Sequence, residues 1–413
     1  MIDFGISLFD DTVIPESHCE YIGDKPIDEI CDYYDSLNTD KSHMVSNDDI
    51  CTPMDCVKHM IDYIPNELWN RQDLTVLDPC CGNGNFGAYC MTKIPMDNIY
   101  FNELSPIRYS NCKKILNPKH LSNTDFFIIY GRFDLIMMNP PYSGGGNKNQ
   151  SLSNRFIEHA IDLLKSNGYL CVVAPNNWMT YNNDNTTLMK LLSKGSFIVI
   201  DNDIKKYFPG VGSSFTVFVW QKGVMDNDTK VVNNYLIKDA QTVRLNKDMK
   251  FIPLYLSQET VDLSVKCDGE LNGIDYRCDL HNFTQKDKLR DKKDEEFCYE
   301  TVHTMKTIRY ANEKQDIYSK WTVIIPLSNY LIPVIRTNVN VTQSVAYISF
   351  NEKKDAEEMV NRLEQPYVKV IVHLTRYGNF NNIMLLKHIK LNGVDLTENE
   401  QSVVNKLIKK IKY

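Results

Sequence analysis

No Cys-x-x-Cys pair and no His-x-x-x-His pair occurs in these 413 residues, so the 12 cysteines offer no zinc-ligand spacing and no metal site is expected. Cys80 and Cys81 are adjacent in a strand-like region and read as small buried hydrophobes, which suits a reducing compartment. A signal peptide is lacking too. Asp3, Asp10 and Asp11 stand where a basic start would be. The uncharged stretch Trp321 to Ile335 has 15 residues and is broken by Pro326 and Pro333, too short to span a bilayer. These absences point to a soluble cytoplasmic protein without membrane contact, and the richness in Asn, Lys, Ile and Tyr suggests an AT-rich genome, bacterial or viral. Net positive charge is also missing: the balance is −7. Its distribution is uneven. Residues 1–220 carry 17 Lys+Arg against 27 Asp+Glu, and residues 221–413 carry 29 against 26. The second half can meet phosphate but is not compelled to.

What is present is the composition of a globular protein, 43% hydrophobic and 24% charged. The length allows roughly two or three domains. Ile27 to Leu37 has helical spacing of apolar residues and reads as a packed helix without chemistry. Thr52-Pro53 reads as the N-cap and first position of a second helix. Leu74 to Asp78 is an expected strand, followed by a glycine-rich turn, Pro79 to Gly87, and a helix near Ala88. Further strands are expected at Asn98–Glu103, Phe133–Met138, Tyr169–Pro175, Phe197–Ile200 and Ser214–Trp220. Helices are expected at Asn154–Lys165 and Leu188–Leu192. This alternation implies an α/β fold with a mainly parallel, doubly wound sheet. The pattern breaks at Gly223–Asp228. Lys286 to Glu296 reads as a solvated loop. Strands are expected within Trp321–Ile335 and Val345–Phe350, and helices at Ala356–Leu363 and Gln401–Ile411. The expected division is a domain over 1–240, with a helical extension at its start, and an α+β domain over 241–413.

The most informative stretch is Asn139-Pro140-Pro141-Tyr142. An apolar strand that stops at two prolines presents an amide, a free carbonyl and an aromatic ring together, at the carboxyl edge where open α/β sheets bind ligands. Two acceptors can hold one NH2 group, and the ring can stack on a flat heterocycle. Upstream, Asp78 closes a strand before the Gly82-x-Gly84 turn, which lets a ligand approach the backbone. Glu103 lies 25 positions after Asp78, near the spacing of a ribose-binding carboxylate. Asp125 can accept from an adenine amine, with Phe126 over the ring.

Together these residues resemble a gamma-class DNA adenine-N6 methyltransferase of the restriction–modification type. The resemblance covers roughly residues 45–222 and extends loosely over 270–400, where Val341-Thr342-Gln343-Ser344 is similar to such recognition domains. It implies a Rossmann-like methyltransferase domain dependent on S-adenosylmethionine, followed by a C-terminal target-recognition domain. Thr52 and Asp78 would flank the methionine end of the cofactor, beside Gly82 and Gly84. Glu103 would bind the ribose, Leu104 would cover the adenine, Asp125 would take its amine, and Phe126 would pack beside it. Asn139 and the Pro140 carbonyl would hold the target amine, and Tyr142 would stack on a flipped base. Phe208 matches a second stacking aromatic, although core packing explains it equally well. Cys51 stands where an aromatic commonly precedes Thr-Pro, and Cys80-Cys81 where one small residue is usual. Neither removes a catalytic group.

The implied partner is double-stranded DNA. A cognate restriction endonuclease and a monomeric state are both compatible with it. Related tetrapeptides occur in enzymes that methylate RNA guanine or protein glutamine, so those substrates stay open. The glycine-rich loop Ser143 to Gln150 reads as a lid or as a disordered connection.

Overall fold

A computed structural model describes residues 16–39, 51–142, 152–180, 186–202, 204–209, 214–225, 227–269, 271–277, 279–280, 286–328, 331–378 and 380–411. The expected lid at Ser143–Gln150 lies outside them. The chain divides into two compact units, Met1–Lys247 and Asp248–Tyr413.

The first unit opens with α1 (Ile27–Leu37), α2 (Met54–Asp62) and α3 (Asn66–Trp69). Then β1 (Val76–Asp78), α4 (Asn85–Cys90), β2 (Ile99–Asn102), α5 (Pro106–Leu116) and β3 (His120–Ser122) alternate. They are followed by β4 (Phe133–Met138), α6 (Leu152–Leu163), β5 (Leu164–Pro175), α7 (Thr187–Lys194), β6 (Gly195–Asp201), β7 (Phe215–Lys222), β8 (Thr229–Val232) and β9 (Gln241–Val243). The nine strands form one sheet in the order β3-β2-β1-β4-β5-β7-β6-β8-β9. Strands β1 to β5 pair in parallel. β7 runs antiparallel to both β5 and β6, so the sheet is mixed at that side. Alternation in the sequence exposes a strand but not its direction.

β4 is buried along its whole length, as a strand covered on both faces must be. Each fully buried aliphatic side chain contributes about 1.5–3 kcal/mol. The exception in composition is Asp134, 2% exposed, which is neutralised locally. Its carboxylate accepts from the Thr75 hydroxyl at 2.7 Å and pairs with Lys165 at 2.7 Å and Arg71 at 2.8 Å. Lys165, expected in a helix, therefore sits in β5 because the helix stops at Leu163.

The second unit contains two four-stranded sheets and five helices among its described residues. One sheet has the order β10 (Asp275–Tyr276), β17 (Val345–Phe350), β14 (Trp321–Pro326), β15 (Val334–Arg336). The other has β11 (Leu289–Arg290), β13 (Thr307–Ala311), β12 (Tyr299–Thr304), β16 (Asn340–Val341). The helices are α8 (Gln258–Lys266), α9 (Lys353–Leu363), α10 (Pro366–Leu374), α11 (Ile383–Leu386) and α12 (Glu398–Ile408). The unit is α+β. The stretch expected to be a solvated loop contains β11 instead, because Leu289 is buried at 2% and anchors it against β13.

No described helix is long and apolar enough to cross a membrane. Among the described residues no group of His, Cys, Asp or Glu has a geometry that could hold a metal ion.

Candidate active site

Strand order reverses between β1 and β4. The chain moves from β1 outward to β2 and β3, then returns to place β4 on the other flank of β1. A crevice opens at the carboxyl ends of two strands whose connections leave in opposite directions. Asp78 ends β1, and Asn139 follows the last residue of β4, so the topology brings the two motifs to one edge.

Asn139 is gripped from three sides. Its Nδ2 donates to the Thr52 hydroxyl at 3.0 Å. Its Oδ1 accepts from the Tyr142 hydroxyl at 2.8 Å. Its backbone carbonyl accepts from the Cys80 thiol at 3.4 Å. Thr52 thus does not serve as the expected helix cap. Pro53 occupies the cap position of α2, and the Met54 amide is satisfied by the Asp35 carboxylate at 3.1 Å. Pro140 is buried and Tyr142 is half-buried. Burial pushes the Tyr142 phenol well above its usual range, so it stays protonated and can act as a donor. The Tyr142 ring lies 5.3 Å from that of Phe215, and Phe215 lies 5.1 Å from Phe208. Phe208 is 2% exposed, in the core and bridged to Tyr142 by Phe215. In this conformation it does not face Tyr142 across an open pocket.

The other half of the crevice surrounds the glycine turn. Gly82 has φ of +58°, and a Cβ placed there would meet nothing within 4 Å, so the backbone borders open space. Gly84 has φ of +104°, but a Cβ there would come within 2.8 Å of Leu116 and 3.1 Å of the Tyr34 hydroxyl. Packing therefore dictates the second glycine and ligand approach is open at the first. Asp78 is fully buried, and neither carboxyl oxygen has a hydrogen-bond partner. Burial drives its pKa well up and the Glu103 carboxyl adds to the shift, while the Cys80 amide opposes it without completing a hydrogen bond of ordinary geometry. An orphaned buried carboxylate calls for a cationic or hydrogen-donating ligand.

Glu103 is 7% exposed, and its two oxygens accept from the amides of Gly82 and Ser105, each at 2.7 Å. Burial raises its pKa, and the backbone N–H groups of Ser105, Gly82 and Leu104 work against that. A carboxylate has about four acceptor sites, so these bonds leave capacity for hydroxyl donors. Leu104 beside it is 51% exposed, an apolar side chain placed where a flat ring could cover it. Asp125 caps the following turn through Oδ1, accepting from the Phe127 amide at 3.0 Å. Phe126 is buried against Phe156 and His159 of α6, with ring centroids 4.9 and 4.7 Å away.

Several polar residues that support this site gave no signal in the sequence. Tyr34 of α1 is fully buried and donates to the Asn83 carbonyl in the glycine turn at 3.0 Å. Asn111 of α5 donates to the Asn83 side chain at 3.1 Å. Asn85 donates to the Thr52 carbonyl at 2.9 Å. Asn102 donates to the carbonyls of Pro79 and Thr124, and Asn123 to those of Glu103 and Leu104. The first helix, read as a bystander, therefore buttresses the turn. The only available hint was Gly82-Asn83-Gly84-Asn85, with two amides in one turn.

The residues present suit S-adenosylmethionine: a carboxylate without a partner for its cationic methionine end, an acceptor pair at Glu103 for ribose hydroxyls, and the exposed Leu104 for the adenine. Residues 59–205 match the family model of the methyltransferase small domain. The chain is 25% identical over 127 residues to the ribosomal RNA small subunit methyltransferase C of Psychromonas ingrahamii, covering 30% of this chain and 35% of that protein. It is 27% identical over 192 residues to the type II restriction enzyme and methyltransferase RM.BcgI of Heyndrickxia coagulans, covering 40% and 30%. The chain thus spans about a third of the length of these curated relatives. Among solved structures, the DrdV–DNA complex has a TM-score of 0.54 at 10% identity, covering 92% of this chain and 59% of that one. At that identity the likeness is one of fold. The first unit is a Rossmann-like methyltransferase fold, and S-adenosylmethionine is its cofactor.

Proposed function

We propose that this chain is a site-specific DNA methyltransferase that moves a methyl group from S-adenosylmethionine to the N6 amine of an adenine flipped out of duplex DNA. The observation that carries the reading is the Asn139–Tyr142 turn at the sheet's switch point, next to the strand that ends in the orphaned Asp78. The relative named as a type II restriction enzyme and methyltransferase supports a restriction–modification setting, and with it DNA as the substrate. A second reading, methylation of an amino group in RNA, is favoured by the ribosomal RNA methyltransferase relative.

The cofactor supplies an electrophilic methyl on a sulfonium. The protein supplies geometry. An adenine amine is a poor nucleophile because its lone pair is delocalised into the ring. Asn139 Oδ1 and the Pro140 carbonyl, accepting its two hydrogens from outside the ring plane, pull the nitrogen toward a tetrahedral shape. The freed lone pair then points at the methyl. Holding two reactants in line can supply about 7–11 kcal/mol. Acceptors fixed against the developing positive charge add to this by the logic of an oxyanion hole with the sign reversed. Asp78 and Glu103 would hold the cofactor, with Leu104 and Asp125 beside its adenine, while Phe126 packs in the core against Phe156 and His159.

Flipping costs a few kcal/mol and stacking on one aromatic returns about 1–3. Tyr142 is the ring available in the turn, and Phe215 and Phe208 back it from the core. Target recognition is assigned to the α+β unit after residue 247.

Transfer of labelled methyl from S-adenosylmethionine to duplex DNA tests the reading. Wild type is expected to label DNA, and Asn139→Ala to lose at least about 100-fold in rate, as when a preorganised charge-stabilising group is removed. Label in RNA with none in DNA would replace this reading with the second one.

A further inference from the structure

The contact between Thr52 and Asn139 has a chemical consequence that neither residue's motif carries alone. Thr52 is 5% exposed, and its hydroxyl oxygen accepts from Asn139 Nδ2 at 3.0 Å. Its backbone carbonyl accepts from Asn85, the first residue of α4, at 2.9 Å. Thr52 is therefore bonded to the glycine turn's helix through its main chain and to the Asn139 amide through its side chain. From the glycine turn itself, the Cys80 thiol holds the Asn139 carbonyl.

An asparagine amide has an acceptor end and a donor end that differ by a half-turn about one bond. The proposed chemistry needs the acceptor end toward the target amine. A half-turn would present NH2 to NH2, two donors face to face, and the hold on the target would become repulsion. Neither hydroxyl chooses the orientation by itself, because the Tyr142 phenol and the Thr52 hydroxyl can each donate to oxygen or accept from nitrogen, but together they bracket the two ends of the amide and hold it in place. The geometry points to Thr52 as a positioning residue that, with Tyr142 at the other end, holds the Asn139 amide in place, and that ties that place to the cofactor turn through Asn85. This inference rests on the proposed amino-methylation at Asn139. It differs from a cofactor contact for Thr52, because the hydroxyl is engaged with the amide.

The test uses the full chain with Thr52→Val, which keeps shape and the main-chain carbonyl but removes the hydroxyl, and Thr52→Ser, which restores it. The first readout does not need the substrate. With asparagine side chains labelled with nitrogen-15, the Asn139 NH2 signals are assigned by their loss in Asn139→Ala. In Thr52→Val they should shift and exchange faster with water, and in Thr52→Ser they should stay near wild type. The second readout is turnover. kcat should fall about 10- to 100-fold in Thr52→Val while the S-adenosylmethionine dissociation constant changes less than about threefold, and Thr52→Ser should recover most of kcat. Weaker cofactor binding with unchanged kcat at saturation would make Thr52 a cofactor ligand and overturn the inference. So would unmoved Asn139 signals, a Thr52→Ser variant as impaired as Thr52→Val, or a Thr52→Val variant that no longer binds cofactor. A wild type that binds S-adenosylmethionine yet methylates no nucleic acid would instead sink the proposed function, and the Asn139 signals would still report on Thr52.

Discussion

Asp78 is the residue whose state most clearly anticipates a ligand. Its carboxyl group is fully buried and neither oxygen is hydrogen-bonded, a cost that the ligand-free protein carries. Because burial lifts its folded-state pKa above the unfolded value near 4, the group favours folding below about pH 4. That contribution is lost as pH rises through the raised folded value. Asp78→Asn should therefore raise the stability of the ligand-free protein at neutral pH, by about 1–3 kcal/mol. The same change should weaken S-adenosylmethionine binding by tenfold or more, because a charged partner for the cationic end is gone. Calorimetric melting without cofactor and titration with it measure both. A variant that is less stable and binds normally would make Asp78 an ordinary core group.

At this scale the sequence revealed the actors better than their partners. Asp78, Glu103 and Asn139 were legible because each ends an apolar run. Tyr34 and Asn111 were not, since a buried hydroxyl or amide on a helix carries no periodic signal and its partner lies 49 or 28 positions away. Thr52 was visible, but its neighbour Pro53 made capping the simpler reading, and only the fold brings its hydroxyl to Asn139.

Among the elements, the turn between β1 and α4 separates two uses of glycine that a motif merges. At Gly82 the backbone is left-handed and the space beyond it is open. At Gly87, inside α4, a Cβ would lie 2.0 Å from the Phe101 ring of β2, a contact no small shift removes. Gly82→Ala should cost about 1–2 kcal/mol of stability from the positive φ and should greatly weaken cofactor binding, since the methyl group enters the crevice. Gly87→Ala should cost more stability, about 1–3 kcal/mol from overpacking with more if the helix is displaced, and should affect cofactor binding only as far as the turn is disturbed. Thermal melts and cofactor titrations of the pair would expose the contrast, and matching profiles would remove it.

The elements also show where sequence patterning fades. α1 was legible because one face is apolar and the other wet. α10 was not anticipated. It carries Val368, Val370, Ile371 and Val372 in nine residues and leaves only a narrow polar stripe, Lys369 and His373, so the signal that betrays a helix is weak and its β-branched content argues for a strand. The hairpin of β12 and β13 escaped for the opposite reason: much of it is polar or half-exposed, with little apolar alternation to read.

For the whole molecule, the two units divide the questions. Residues 1–247 contain the cofactor crevice and the Asn139 turn. Residues 248–413 carry 24 Lys+Arg against 23 Asp+Glu, so recognition of duplex DNA there would draw on individually placed cations rather than a net positive field. The first unit was readable because its polar motifs sit at the ends of short apolar strands. The second unit builds its sheets from strands of two to six residues, which leave a weak imprint on sequence. Methylation of adenine N6 in DNA is read out by sequencing that reports modified bases in the DNA of a host expressing the chain. N6-methyladenine is expected at one recurring short sequence with wild type and nowhere with Asn139→Ala. Host DNA that remains unmodified, or that is methylated on cytosine instead, would contradict the proposed function.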